Sequence, residues 1–357
     1  MTDGAASRIA GRKRDHLRIH LENDVQAGGD VWRPYRLRHD ALPEVDRDKV
    51  DLRTRFLGTD IGGPLLISGM TGGCDEAEHV NDHLAAAAAE YRVPMGVGSQ
   101  RAALAHRDLR RSYEVVKDHD VPLVLANLGA PQLVEWGAKT ALAKAEEAIA
   151  MVEADVLALH LNYLQECVQP EGDTLGAGVT DVLAALVDDL DVPVLVKETG
   201  AGIGGDVARR LVDVGVAAID VGGLGGTSFS AVEMHRALAE EDALHERIGR
   251  TFYDWGVPTP WAVEECVTAV GAEVPIAATG GVRHGLDGAI ALALGATLFG
   301  MAGAMLRAAD RSQDAARAEV RAVLEEVRTA LFLTGSADLA SLRRPGVWLE
   351  RPAPRSV

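Results

Sequence analysis

The chain has 357 residues, of which 47% are hydrophobic and 4% aromatic, with 38 glycines. That composition fits closely packed parallel α/β layers, in one large domain or two ordinary ones. The formal net charge is −17, and lysine occurs only at 13, 49, 117, 139, 144 and 197, so an acidic, arginine-based surface excludes nucleic acid and anionic membranes as partners.

The same imbalance suits a protein hydrated in concentrated salt and predicts a halophilic host, with an ordinary acidic cytosolic enzyme as the alternative. Cys74, Cys167 and Cys266 stand far apart with no CxxC pair, which fits a reducing cytoplasm. The first 19 residues are basic without an apolar run behind them, so no signal peptide is expected.

In chain order, residues 1–60 read as an N-terminal extension: a basic helix from about 7 to 22, an Arg- and Pro-containing passage, and a small hairpin. Eight short β-rich runs follow, at 64–70, 94–99, 122–129, 156–162, 193–198, 218–223, 275–281 and 297–303, each ending in Gly or a polar residue. Ala-rich amphipathic stretches separate them. The uncharged segment 288–306 reads as a buried helix and strand rather than a membrane span, because Gly295 breaks it.

Strands alternating with helices imply right-handed βαβ units, and eight such units close a TIM (β/α)8 barrel, here over 61–335 with a tail at 336–357. An open doubly wound sheet is the alternative fold. The interval after the sixth strand, 224–274, is too long for one connection and predicts a long insertion with its own helix over the barrel mouth.

A barrel of this kind builds its site at the C-terminal ends of its strands. Those positions hold Ser68, Gly69, Met70 and Thr71; Ser99, Gln100 and Arg101; Asn127; His160, Asn162, Gln165 and Glu166; Lys197; Thr227; Gly280, Gly281 and Val282; and Met301 and Ala302. The glycine-rich turns ATGGVRHG and FGMAG fall where such barrels cradle phosphate. With Lys197 beside them they sketch a site for flavin mononucleotide (FMN), whose reduced ring the lysine would stabilise. A purely structural pairing of Lys197 with Glu198 is the other reading.

Glu166 is placed to hold Mg2+ through one carboxylate, with substrate phosphates and water completing the shell. By itself it would read as a solvated surface group. Arg12, Lys13 and His16, with Arg101, are placed to clamp a diphosphate, the alternative being a solvated basic helix face.

Several segments together, RKRDH (12–16), SGMTGG (68–73), GSQR (98–101), HLNYLQE (160–166), QPEGD (169–173), GGTSF (225–229), DWGVPT (254–259) and TGGVRHGLD (279–287), resemble the type 2 isopentenyl diphosphate isomerases, over about residues 8 to 310. The resemblance implies interconversion of isopentenyl and dimethylallyl diphosphate with FMN, Mg2+ and NADPH, the reduced flavin acting as acid and base. It implies Arg12, Lys13, His16, Ser99, Gln100, Arg101 and Asn162 at the substrate, with Gln165 and His160 nearest the chemistry and Glu166 on the metal. The FMN would meet Ser68 to Thr71, Ser99, Asn127, Lys197, Thr227, the turn from Gly280 to Val282, and Met301–Ala302. It also implies a cytoplasmic homo-oligomer, tetramer or octamer, and an archaeal host.

The rival readings are an FMN-dependent 2-hydroxy acid oxidase or dehydrogenase and a non-catalytic FMN-binding barrel. The first carries a catalytic histidine after the sixth strand, where this chain has VGGLGGTSF.

Overall fold

A computed structural model describes residues 11, 14–16, 18–344 and 347. A two-stranded antiparallel hairpin, β1 (Thr54–Phe56) and β2 (Thr59–Ile61), precedes eight parallel strands: β3 (Leu65–Ile67), β4 (Met95–Gly96), β5 (Val124–Gly129), β6 (Val156–Leu161), β7 (Val194–Glu198), β8 (Ala218–Asp220), β9 (Ile276–Ala278) and β10 (Leu298–Met301). The eight close on themselves in sequential order, β10 pairing with β3. The expected TIM barrel is therefore present, and the open sheet is not.

Side chains alternate across each strand, which divides the apolar residues into two cores. Leu65, Ile67, Val124, Val194, Val196 and Ile219 face the helices. Leu66, Leu125, Ala158, Leu195, Ala218, Ala277 and Leu298 fill the barrel, where Phe56 and Ile61 of the hairpin join them. The same parity, carried one step towards the C-terminal ends, turns Ser68, Asn127, His160, Lys197, Asp220 and Thr279 inward, so the barrel is apolar below and polar at its mouth.

The N-terminal extension shares this core: Trp32, Tyr35, Val50 and Leu52 are buried in the main cluster. After β8 the insertion holds two helices, Phe229–Ala239 and Ala243–Thr251, where one was expected, before the regular helix Thr259–Val270. Ser228 and Asp242 cap the first two by accepting from backbone N–H groups. Helix Gln313–Leu333 packs on Glu76–Tyr91. Beyond it, Arg344 donates to Thr334 O and Gly335 O, and Asp338 bridges to Asp51, tying the segment up to 344 onto the barrel. Among the described residues no helix is long and apolar enough to cross a membrane.

Candidate active site

The C-terminal ends of the strands enclose a cavity of about 540 Å³. Of the residues picked out from the sequence it gathers His16, Ser68 to Thr71, Ser99, Arg101, Asn127, His160, Asn162, Gln165, Glu166, Lys197, Thr227, Gly280 to Val282 and Ala302. Two of them lie outside it. Gln100 is fully buried in the barrel wall, its amide donating to Ala148 O at 2.8 Å and its carbonyl accepting from Asn127 N at 2.9 Å. Met301 has outward parity on β10 and is packed among core side chains. Arg12 and Lys13 lie outside the described residues.

One wall is a chain of amides. Asn127 Nδ2 donates to Val97 O at 2.9 Å, so its Oδ1 accepts, and His160 Nδ1 lies 2.8 Å from it. That bond makes Nδ1 the donor and sets the tautomer. Gly69 is required here, since a Cβ would overlap Val97 O.

Directly after β6, the short helix Tyr163–Val168 brings Glu166 back to Asn162, whose Nδ2 donates to Glu166 Oε1 at 2.9 Å. Asp173 N donates to Glu166 Oε2 at 2.7 Å, and Gln169 lies beside it at 3.4 Å. Gln165 Nε2 donates to Glu233 Oε1 at 2.9 Å.

Glu233 is a residue the sequence reading missed. It stands on helix Phe229–Ala239, 1% exposed, and ties Gln165, His16 Nε2 at 2.9 Å and Arg236 Nη1 at 2.6 Å to one carboxylate. Burial alone would raise its pKa, but His16, Arg236 and Gln165 outweigh burial and hold it down to about 2. The pKa of His20, half-buried nearby, is also lowered, to about 4, chiefly because desolvation disfavours the imidazolium, and the ring is neutral at neutral pH.

The floor is set by strands β7 to β9. Lys197 Nζ donates to Glu198 backbone O at 2.9 Å rather than pairing with the Glu198 carboxylate. That carboxylate is buried, and Thr199, Gly200, Ala201 and Gly202 all point backbone N–H groups at it. Its pKa is nonetheless raised, by burial. Thr279 Oγ1 donates to Asp220 Oδ1 at 2.5 Å beneath the lysine.

The remaining rim consists of glycine turns and a strap. Gly280 and Gly281 have φ of 109° and 67°, and a Cβ on either would overlap the backbone of the loop at 223–225. The helix Gly303–Arg311 opens at the same edge, and its first residues line the cavity. Across this edge runs the N-terminal segment: Ala27 N donates to Gly226 O, Ser228 N to Val25 O, and Arg283 pairs with Asp30 at 3.0 Å.

The FMN-dependent dehydrogenase family matches residues 168–349. Solved barrels of mandelate oxidase superimpose with a TM-score of 0.63 at 19% identity, over 95% of this chain and 98% of the other, a likeness of fold. The isopentenyl-diphosphate delta-isomerase of Thermoplasma volcanium is 43% identical over 94% of this chain and 95% of its own. The chain belongs to the type 2 isopentenyl-diphosphate delta-isomerase family. Other members of that family include proteins of Nostoc sp., 44% identical with 97% of each chain covered, and of Halobacterium salinarum, 42% identical over 96% of this chain and 94% of the other. As a member of this isomerase family with an FMN-dependent barrel, the chain is an enzyme.

Proposed function

We propose that this enzyme interconverts isopentenyl and dimethylallyl diphosphate, with FMN against Lys197, Mg2+ at Glu166, and NADPH as the reductant that brings the flavin to its working state. The observation that carries the reading is the joining, in one cavity, of an inward lysine, a turn of two positive-φ glycines beside a helix N-terminus, and a carboxylate set among amides.

The residues fit each group. Backbone N–H groups of the Gly280–Gly281 turn and of the helix at Gly303 suit the FMN phosphate. Ser68 Oγ, buried without a hydrogen-bond partner among the described residues, and Asn127 suit the polar edge of the ring. Asn162 Oδ1, likewise unpartnered beside Glu166, adds an oxygen ligand or holds a metal-bound water. Among the described residues no group of three or more His, Cys, Asp or Glu stands ready for a metal, which suits an ion completed by substrate phosphate and water.

Shifting the double bond adds a proton at one carbon and removes one at another. Reduced FMN, when bound, supplies an electron-rich ring able to exchange that proton. The chain's residues do the rest. His16 and Arg101 lie on the substrate side, Arg12 and Lys13 extend the same basic segment, and Gln165 is held by Glu233 at the reacting end with His160 nearby. Walls of buried amides and glycine backbone exclude water. The reading includes a cytoplasmic homo-oligomer.

The test is anaerobic incubation with FMN, Mg2+, NADPH and isopentenyl diphosphate at high salt. The expected result is dimethylallyl diphosphate that forms only with both flavin and reductant. FMN binding without product, or turnover of a 2-hydroxy acid instead, would move the assignment to a binding barrel or an oxidase.

A further inference from the structure

Asp220 is a buried acid to which the reading above gives no role. It lies on β8 opposite Lys197 of β7 in the parallel register, and both turn inward by the alternation of their strands. Beneath the cavity floor they line a void of about 10 Å³ with Ser68 and Asn127, and among the described residues no other titratable group borders it. Asp220 is 1% exposed, and its Oδ1 accepts from Thr279 Oγ1 at 2.5 Å. Its Oδ2 has no donor among the described residues. Lys197 gives one N–H to Glu198 O and has two more to direct. The other acid at this depth, Glu198, is already engaged by the backbone N–H groups of residues 199–202.

We propose that Asp220 is a positioning residue: it is the counter-charge of Lys197, so that the barrel presents to the flavin a floor that is neutral as a pair. The inference rests on the reading that FMN lies against Lys197. A lone buried cation would hold the reduced ring in its anionic form. A paired cation lets the ring keep the extra proton that an acid–base role needs. Burial pushes the Asp220 carboxyl upward, and Lys197 is the foremost of the groups that oppose it, which is what a pair sharing one dry site requires.

Two measurements decide it. The first needs no flavin: urea unfolding of the apo-protein as Lys197→Met, Asp220→Asn and the double variant. Removing the lysine alone strands a buried acid and lowers stability, and adding Asp220→Asn is expected to restore most of that loss. Simple addition of the two losses would overturn the pairing. Should Asp220→Asn not fold alone, the double variant set against Lys197→Met gives the same comparison.

The second is a pH titration of the reduced flavin's absorbance in the reconstituted protein. Asp220→Asn is expected to lower the ratio of neutral to anionic reduced flavin about tenfold or more at a given pH. An unchanged ratio would overturn the proposal. Failure of the parent chain to bind FMN would sink the functional reading instead, and the unfolding cycle would still decide the pair.

Discussion

Gln165 Nε2 donates to Glu233 Oε1 at 2.9 Å, joining residues 68 positions apart and fastening the short helix after β6 to the first helix of the insertion. Since His16 and Arg236 meet the same carboxylate, Glu233 coordinates three elements around one side of the cavity.

Replacing Glu233 by Gln leaves Arg236 without its buried partner and cannot serve His16 as well. Stability is expected to fall by about 3 kcal/mol in urea unfolding, the usual consequence of breaking a buried ion pair. Steady-state kinetics should show kcat/KM down about tenfold or more, since Gln165 and the N-terminal arm lose their common anchor.

The same residue sets an acid limb. Its folded pKa of about 2 lies below the ordinary 4.5, so the stability it contributes is fully present above about pH 4.5 and is lost as pH falls through about 2. By linkage the full amount is roughly 3 kcal/mol. Unfolding measured between pH 5 and pH 2 should show the gap between the parent and Glu233→Gln narrowing as the solution becomes more acidic. A gap that stays constant would contradict this account.

Glu166→Gln keeps the shape of the side chain, but its single oxygen can accept from Asn162 or from Asp173 N and not from both, and the charge offered to a cation is gone. Activity is expected to drop roughly 100-fold and to need more Mg2+ for half-saturation. Stability is expected to fall by about 1–3 kcal/mol for the buried donor left unsatisfied, while FMN affinity should stay close to the parent's, and a loss of flavin binding would show that Glu166 acts elsewhere.

At Gly280 the backbone is left-handed, with φ 109°, and a Cβ would strike Gly223 O. Gly280→Ala is therefore expected to cost about 1–3 kcal/mol. Because the turn must shift, fluorescence titration should show FMN binding at least tenfold weaker. Gly58→Ala, on the hairpin with open space around its Cβ and φ 87°, supplies the comparison: strain without contact with the cavity.

Much of the site was legible because strand ends in a barrel are ring positions. Ser68, Asn127, His160 and Lys197 each fall in the last three residues of a β-rich run, and local alternation decides that they point inward. Met301 shows the limit of that reasoning: it falls in the last three residues of a run too, but sits one residue out of phase and faces the helices. Gln100 looked like a rim residue and became a wall residue, because Ala148 O and Asn127 N lie within its reach. Asp220 could have been found from the period of two, as the inward residue of β8 paired with Lys197, but it lies short of the run's end.

The sequence by itself determined the eight βα units, the glycine turns after the last two strands, and the family motifs, since periodicity and turn chemistry are local properties of the chain. The tertiary structure alone decided what Glu233 anchors, where the segment at 23–30 crosses the mouth, and that Lys197 shares its floor with Asp220. Those relationships join groups apart in sequence, and only the packing of the strands, the insertion and the N-terminal segment brings them together.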